Sequence, residues 1–158
     1  GVAAGKRVFD VINEGGLLAH GFTYSGHPVA CAVASANIDI IAREGLVERV
    51  RDDIGPYLHN SLRQMADGHP LVGEVRGVGL VAALQLMRDK ASKTQFAAND
   101  TAAIFCRETL WDHGLIARAV GQAMVLSPPL VISRSEVDEL VDKMKLGLDA
   151  TAAAFDVQ

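Results

Sequence analysis

At 158 residues, 49% hydrophobic and 22% charged, the chain is long enough to close a hydrophobic core and too apolar to belong with disordered sequences. A net charge of -4 without a long basic run excludes the electrostatic footprint of a nucleic-acid binder, and the most apolar run, 28–42, is too short and interrupted by Asn37 and Asp39 to span a bilayer. Its two cysteines, Cys31 and Cys106, fall in apolar helical patterns and predict reduced core thiols of a cytoplasmic protein. The five histidines show no paired metal-ligand spacing.

The chain opens at Gly1 without an initiator methionine or the ordered regions of a secretory signal. It runs straight into Val8, Phe9, Val11 and Ile12, a helix or helix end with no evident cap, so it reads as the interior of a longer protein. The stretch 21–34 sets glycines and hydroxyls directly against an apolar helix. Ser25 and Gly26 are favoured N-cap types and Pro28 suits the first turn. Val29, Ala32, Val33, Ala36 and Ile40 then recur at helical spacing. Such a start turns free N–H groups and the positive dipole end toward Phe22–Ser25, which suits phosphate or carboxylate; the same pattern also fits an ordinary capped core helix.

Gly45 is placed to end that helix after Glu44, and a second amphipathic helix begins near Leu46, with Val47, Val50, Ile54, Tyr57, Leu58, Leu62 and Met65 as its apolar stripe. Gly55-Pro56 predicts a kink or a short restart within it. The turn cluster Asp67-Gly68-His69-Pro70 marks the expected domain boundary. Beyond it, 71–76 and 80–86 read as strands joined across Gly77-Val78-Gly79, 87–98 as a loop, and about Asp100 to His113 as a helix closed by Gly114. Strands 115–120 and 123–127 flank Gly121-Gln122 as a hairpin that Pro128-Pro129 terminates. Ser133-Arg134-Ser135-Glu136 is a capping box opening a final long helix with Val137, Leu140, Met144, Leu148 and Phe155 on one face. Helices segregated around a small antiparallel sheet make the part after residue 70 an α+β unit, while the earlier helices need a partner to cover their apolar faces.

Arg118 shares a strand face with Ile116 and Val120, so the alternation predicts a charge on an apolar side. A guanidinium there suits a substrate carboxylate held by two parallel hydrogen bonds; the other readings are a structural ion pair and a sheet-edge arginine with its head in water. His27 reads as an anion donor or as a packed or capping residue, and Asp52-Asp53 as a solvated charge pair. Gly77-Val78-Gly79 lacks the third glycine of a dinucleotide loop, and Ser127 has no base at a recognisable spacing.

Three stretches converge on a known pattern: Phe22-Thr23-Tyr24-Ser25-Gly26-His27-Pro28-Val29-Ala30-Cys31-Ala32, then Arg76-Gly77-Val78-Gly79-Leu80, then Ala117-Arg118 with Pro128-Pro129-Leu130-Val131-Ile132. Together they resemble class III pyridoxal-phosphate aminotransferases, most of all the omega-amino acid:pyruvate or diamine:pyruvate group. The resemblance runs from Lys6 to Phe155 and corresponds to about the last third of a family member. It implies an α/β fold type I enzyme working as a homodimer on an amino donor and a 2-oxo acid. Residues 1–66 would end the large cofactor domain and 67–158 would form the small α+β domain. It further implies that Thr23, with Phe22 beside it, binds the phosphate of pyridoxal 5'-phosphate in the neighbouring subunit, and that Arg118 binds the substrate carboxylate and swings aside for amines. The family's cofactor-bonding lysine, its aspartate against the pyridine nitrogen and its glycine-serine phosphate loop have no counterpart in this chain. Lys6, Lys90, Lys93, Lys143 and Lys145 all stand in other contexts, so the chain by itself is expected to be inactive and to hold no catalytic residue. An aminomutase or decarboxylase of the same class, or an interaction module without catalysis, are the alternative readings.

Overall fold

The computed structural model describes residues 4–16, 21–97, 99 and 101–157; Gly1–Ala3, His20 and the expected helix start at Asp100 lie outside them. The chain divides into two compact units, 1–40 and 41–158. The turn expected to separate two domains at 67–70 lies inside the second unit.

In the first unit, α1 (Lys6–Glu14) starts from Gly5 in extended conformation and carries a Lys6–Asp10 ion pair at 2.6 Å, one turn apart. The helix expected from Pro28 is α2 (Pro28–Arg43), ending at Gly45, whose φ of 59° is the left-handed conformation that a glycine adopts without strain. No described residue of this unit is buried. Cys31 is therefore exposed, which corrects its placement in a core: helical spacing puts it beside apolar residues, but no layer covers that face within the unit.

The second unit begins with one helical rod in three parts: α3 (Leu46–Arg49), a π-helical turn at Val50–Ile54, and α4 (Gly55–Asp67). The expected interruption at Gly55-Pro56 is this widened turn. The Gly55 amide reaches the Val50 carbonyl, and a side chain on Gly55 would collide with that same oxygen. Proline, lacking an amide hydrogen, leaves no donor unpaired just after it.

Four antiparallel strands follow in the spatial order β1-β2-β4-β3. β1 (Val72–Val78) and β2 (Val81–Leu86) pair from Val78 against Val81, with a bulge at Gly73. β3 (Arg118–Val120) and β4 (Ala123–Leu126) form the expected hairpin, with Gly121 at φ 55°. β3 is shorter than anticipated, because residues 115–117 do not join the ladder. α5 (Ala102–Asp112) and α6 (Arg134–Ala154) complete the unit, and Ser133 and Glu136 close the capping box in both directions.

Alternation along β2 decides what lies where. Ala82, Leu84 and Leu86 are buried, together with Met124 and Leu126 of β4, against Leu58 and Leu62 of α4, Leu110 of α5, and Met144 and Leu148 of α6. Among the described residues of this unit, no helix covers the opposite face. Across it Arg76, Ala83, Val125 and Arg118 sit in one cross-strand row.

Candidate functional site

The loop before α2 is ordered by its own hydrogen bonds. The Ser25 amide donates to the Phe22 carbonyl at 2.9 Å, the Phe22 amide donates back to Ser25 Oγ at 3.0 Å, and the His27 amide donates to the Tyr24 carbonyl at 3.1 Å. Ser25 is thereby committed to the turn and is not the helix cap expected of it. His27 fills that role: its Nδ1 accepts from the Ala30 amide at 3.4 Å and its carbonyl from the Cys31 amide at 3.0 Å, which is the capping alternative for this histidine. Thr23 sits at the tip of the turn between Phe22 and Tyr24, both largely exposed, and the first turn of α2 holds no acidic side chain. Thr23 thus puts a hydroxyl donor in the loop that leads into a helix N-terminus, groups of the kind that bind phosphate.

Arg118 has the setting of the sheet-edge alternative, with its head in water, and not that of a charge on a covered apolar side. Ile116, Arg118 and Val120 do share a direction, but that side of β3 is exposed, so the guanidinium is solvated rather than buried against a partner. Period-two spacing shows which residues share a face; it cannot show whether a second layer covers it. Arg118 lines a cleft of about 490 Å³ at the β3 edge, walled by Leu115, Ile116, Pro128, Pro129, Ile132 and Leu140. Lys143, on the same cleft, is neutralised by Glu139 at 2.6 Å. Glu136 is occupied in the capping box, where bonds from the Ser133 amide and hydroxyl hold its carboxyl below the usual range. Among the described residues Arg118 makes no ion pair, so its planar fork is open to an incoming carboxylate over apolar walls.

The remaining residues singled out by sequence act structurally. Asp52 takes Arg51 at 2.7 Å and Asp53 takes Arg134 at 2.5 Å. Ser127 lines the cleft beside Arg118, where no histidine is among the lining residues. Gly77-Val78-Gly79 is the β1–β2 corner, where a side chain on Gly77 would strike the Val81 carbonyl and lie 2.8 Å from Ala82 Cα. No group of three metal-ligating side chains occurs among the described residues.

Two buried histidines escaped sequence reasoning, because neither stands in a motif. His69 accepts from the Leu71 amide at its Nδ1 and meets Asp149 at 3.1 Å through Nε2. Burial lowers its pKa despite that carboxylate, with Lys145 and Lys90 adding to the effect. Among the described residues His59, on α4, completes no hydrogen bond at either ring nitrogen; burial and then Arg63 lower its pKa, partly opposed by the Gly79 carbonyl.

The chain is similar to known proteins over nearly its whole length. The pattern of the family described as aminotransferase class-III matches residues 1–148. A putrescine–pyruvate aminotransferase of Pseudomonas aeruginosa is 49% identical over 154 residues, covering 98% of this chain and 33% of that protein. A diaminobutyrate–2-oxoglutarate transaminase of Halomonas elongata is 38% identical, covering 98% and 34%. Among solved structures, an omega transaminase of Pseudomonas jessenii in complex with PMP superposes with a TM-score of 0.80 at 40% identity, over 94% of this chain and 32% of that one. A PMP-bound aminotransferase of Vibrio fluvialis gives 0.79 at 41% identity, over 94% and 32%. The chain thus spans about a third of the length of the relatives it matches.

Proposed function

The chain belongs to the class III aminotransferases, and on that footing we propose that it is the C-terminal third of an enzyme that moves an amino group from an omega-amino acid or amine to a 2-oxo acid such as pyruvate. The single observation that carries the substrate side is the unpaired, solvated Arg118 on an apolar-walled cleft. A carboxylate in that cleft receives two N–H donors in one plane, while a neutral amine leaves the arginine free to turn back into water. Class III aminotransferases use pyridoxal 5'-phosphate, which when bound supplies the electron sink for the reaction. In our reading this chain contributes holding groups to it. Thr23 donates its hydroxyl to the phosphate in the neighbouring subunit of a homodimer, the α2 N-terminus adds its positive end, and Phe22 packs beside them at the interface.

The cofactor-bonding lysine belongs to the two thirds of the enzyme outside this chain, so these 158 residues bind and orient without themselves moving the substrate proton. In the parent, the first unit belongs to the large domain and the second unit, with α4 in its core, forms the small one; the exposed apolar faces of α1 and α2 suit coverage by the rest of the large domain and its dimer partner. No helix among the described residues is long and apolar enough to cross a membrane, and the unpaired cysteines suit a cytoplasmic location.

Steady-state kinetics of the full-length enzyme carrying Arg118→Ala test the clamp. KM for pyruvate and for omega-amino acids is expected to rise about 10- to 100-fold, the worth of a charge-assisted hydrogen-bond pair, while simple amine donors change by less than about threefold. Equal losses for both donor types would refute it.

A further inference from the structure

Arg49, Asp53 and Tyr57 stand four residues apart along the rod formed by α3, the π-helical turn and α4, and each reaches the stretch that follows β4. Arg49 donates to the Leu130 carbonyl at 2.8 Å and to the Ile132 carbonyl at 2.5 Å. Asp53 receives Arg134 at 2.5 Å, and that guanidinium also lies 4.7 Å from the centre of the Tyr57 ring. The Tyr57 hydroxyl donates to Asp138 at 2.6 Å. In a regular α-helix, residues spaced by four drift around the axis by about 40° per step, so three of them could not all face one partner squarely. The π-helical turn rotates less per residue and cancels most of that drift, keeping the three rungs in one row.

The stretch they hold is the wall of the Arg118 cleft, since Pro128, Pro129, Ile132, Glu136 and Leu140 all line it. Pro128 and Pro129 have no amide to anchor, and β4 ends at Leu126, so no strand ladder fixes residues 128–132. One planar guanidinium bonded to two carbonyls sets both the position and the tilt of that segment, and the fixed φ angles of the two prolines carry the setting to the cleft.

We infer that Arg49 is a positioning residue for substrate binding, which holds the Pro128–Ile132 wall against which the carboxylate on Arg118 fits. The inference rests on the reading of Arg118 as that carboxylate's clamp. A lysine could not replace it fully, because an ammonium is a point charge rather than a two-pronged fork.

The test uses the full-length enzyme with Arg49→Met, which keeps the aliphatic stem and removes both donors, and with Arg49→Lys. For Arg49→Met, amide hydrogen exchange across 130–133 is expected to quicken by about tenfold or more, and KM for pyruvate to rise by about tenfold, with kcat and the KM of a simple amine donor each within about twofold. Arg49→Lys is expected to recover part of both changes. A KM for pyruvate that stays within about twofold of wild type would overturn the inference, and so would a loss of kcat shared by every substrate, which marks a merely structural tie. Should Arg49→Met not accumulate in folded form, Arg49→Gln, which keeps one donor, decides by the same criteria. Arg118→Ala run in parallel separates the two levels: no effect there sinks the clamp itself, whereas an effect there with none at Arg49 sinks only the positioning role.

Discussion

Gly147 shows how closely single residues are fitted in the second unit. It sits where α6 crosses α5, and a Cβ added there would collide with Leu110 Cδ2 and lie 3.6 Å from the Cys106 carbonyl, so any side chain must displace a fully buried leucine. Gly147→Ala would gain up to about 1 kcal/mol of helix propensity and lose about 1–3 kcal/mol to overpacking, so the crowding is expected to win. A urea melt should show a lower midpoint at unchanged slope; a higher midpoint would mean that the crossing has room. Cys106 lies in the same contact, and burial pushes its thiol up to about 11, which keeps it protonated and inert.

At the scale of elements, α6 depends on its first turn. Ser133 and Glu136 bond reciprocally, and the same turn supplies Arg134 to Asp53 and borders the Arg118 cleft. Ser133→Ala is expected to cost about 1 kcal/mol in a denaturant titration, and a cost near zero would show that Glu136 alone sustains the cap. The helices, the two hairpins, this box and Gly45 were legible in the sequence because each is specified by contacts within a few residues. What escaped was set by distant partners. Ser25 has the right chemistry for a cap, yet it is taken by Phe22, and His27, the next candidate, caps α2. Gly55-Pro56 announces an interruption, but that it takes the form of a π-helical turn, from which Arg49, Asp53 and Tyr57 reach residues about eighty positions away, is not written in the local sequence. Arg118 stands out in the sequence by its odd place in an apolar alternation, whereas its exposure depends on which sheet face the helices cover.

For the molecule as a whole, the two buried histidines set an acid dependence. Both have pKa values lowered by burial from the ordinary value of about 6.5, so below that value the unfolded chain binds more protons than the folded one. Stability is therefore full above about 6.5 and falls as the pH drops through that value toward the folded-state pKa. For His69 the cost is structural as well, since protonating Nδ1 would end its bond from the Leu71 amide at the entry to β1, while Asp149 faces the ring and Lys145 and Lys90 oppose a new positive charge. The melting temperature is expected to fall between pH 7.5 and 5.5, and to fall less in His59→Gln; an unchanged or rising value would contradict the burial argument.

In our proposal the chain lends binding groups to an active site whose lysine lies elsewhere, with Thr23 serving the neighbouring subunit's cofactor. The direct measurement is the activity of a hybrid dimer of the full-length enzyme, one subunit carrying Thr23→Asp and the other lacking the cofactor-bonding lysine, purified through two different tags. If Thr23 acts across the interface, the subunit with its lysine intact receives an intact threonine from its partner, and the hybrid should show about half of wild-type activity although each homodimer is nearly inactive. A hybrid as inactive as the two homodimers would contradict the account, because Thr23 would then serve its own subunit.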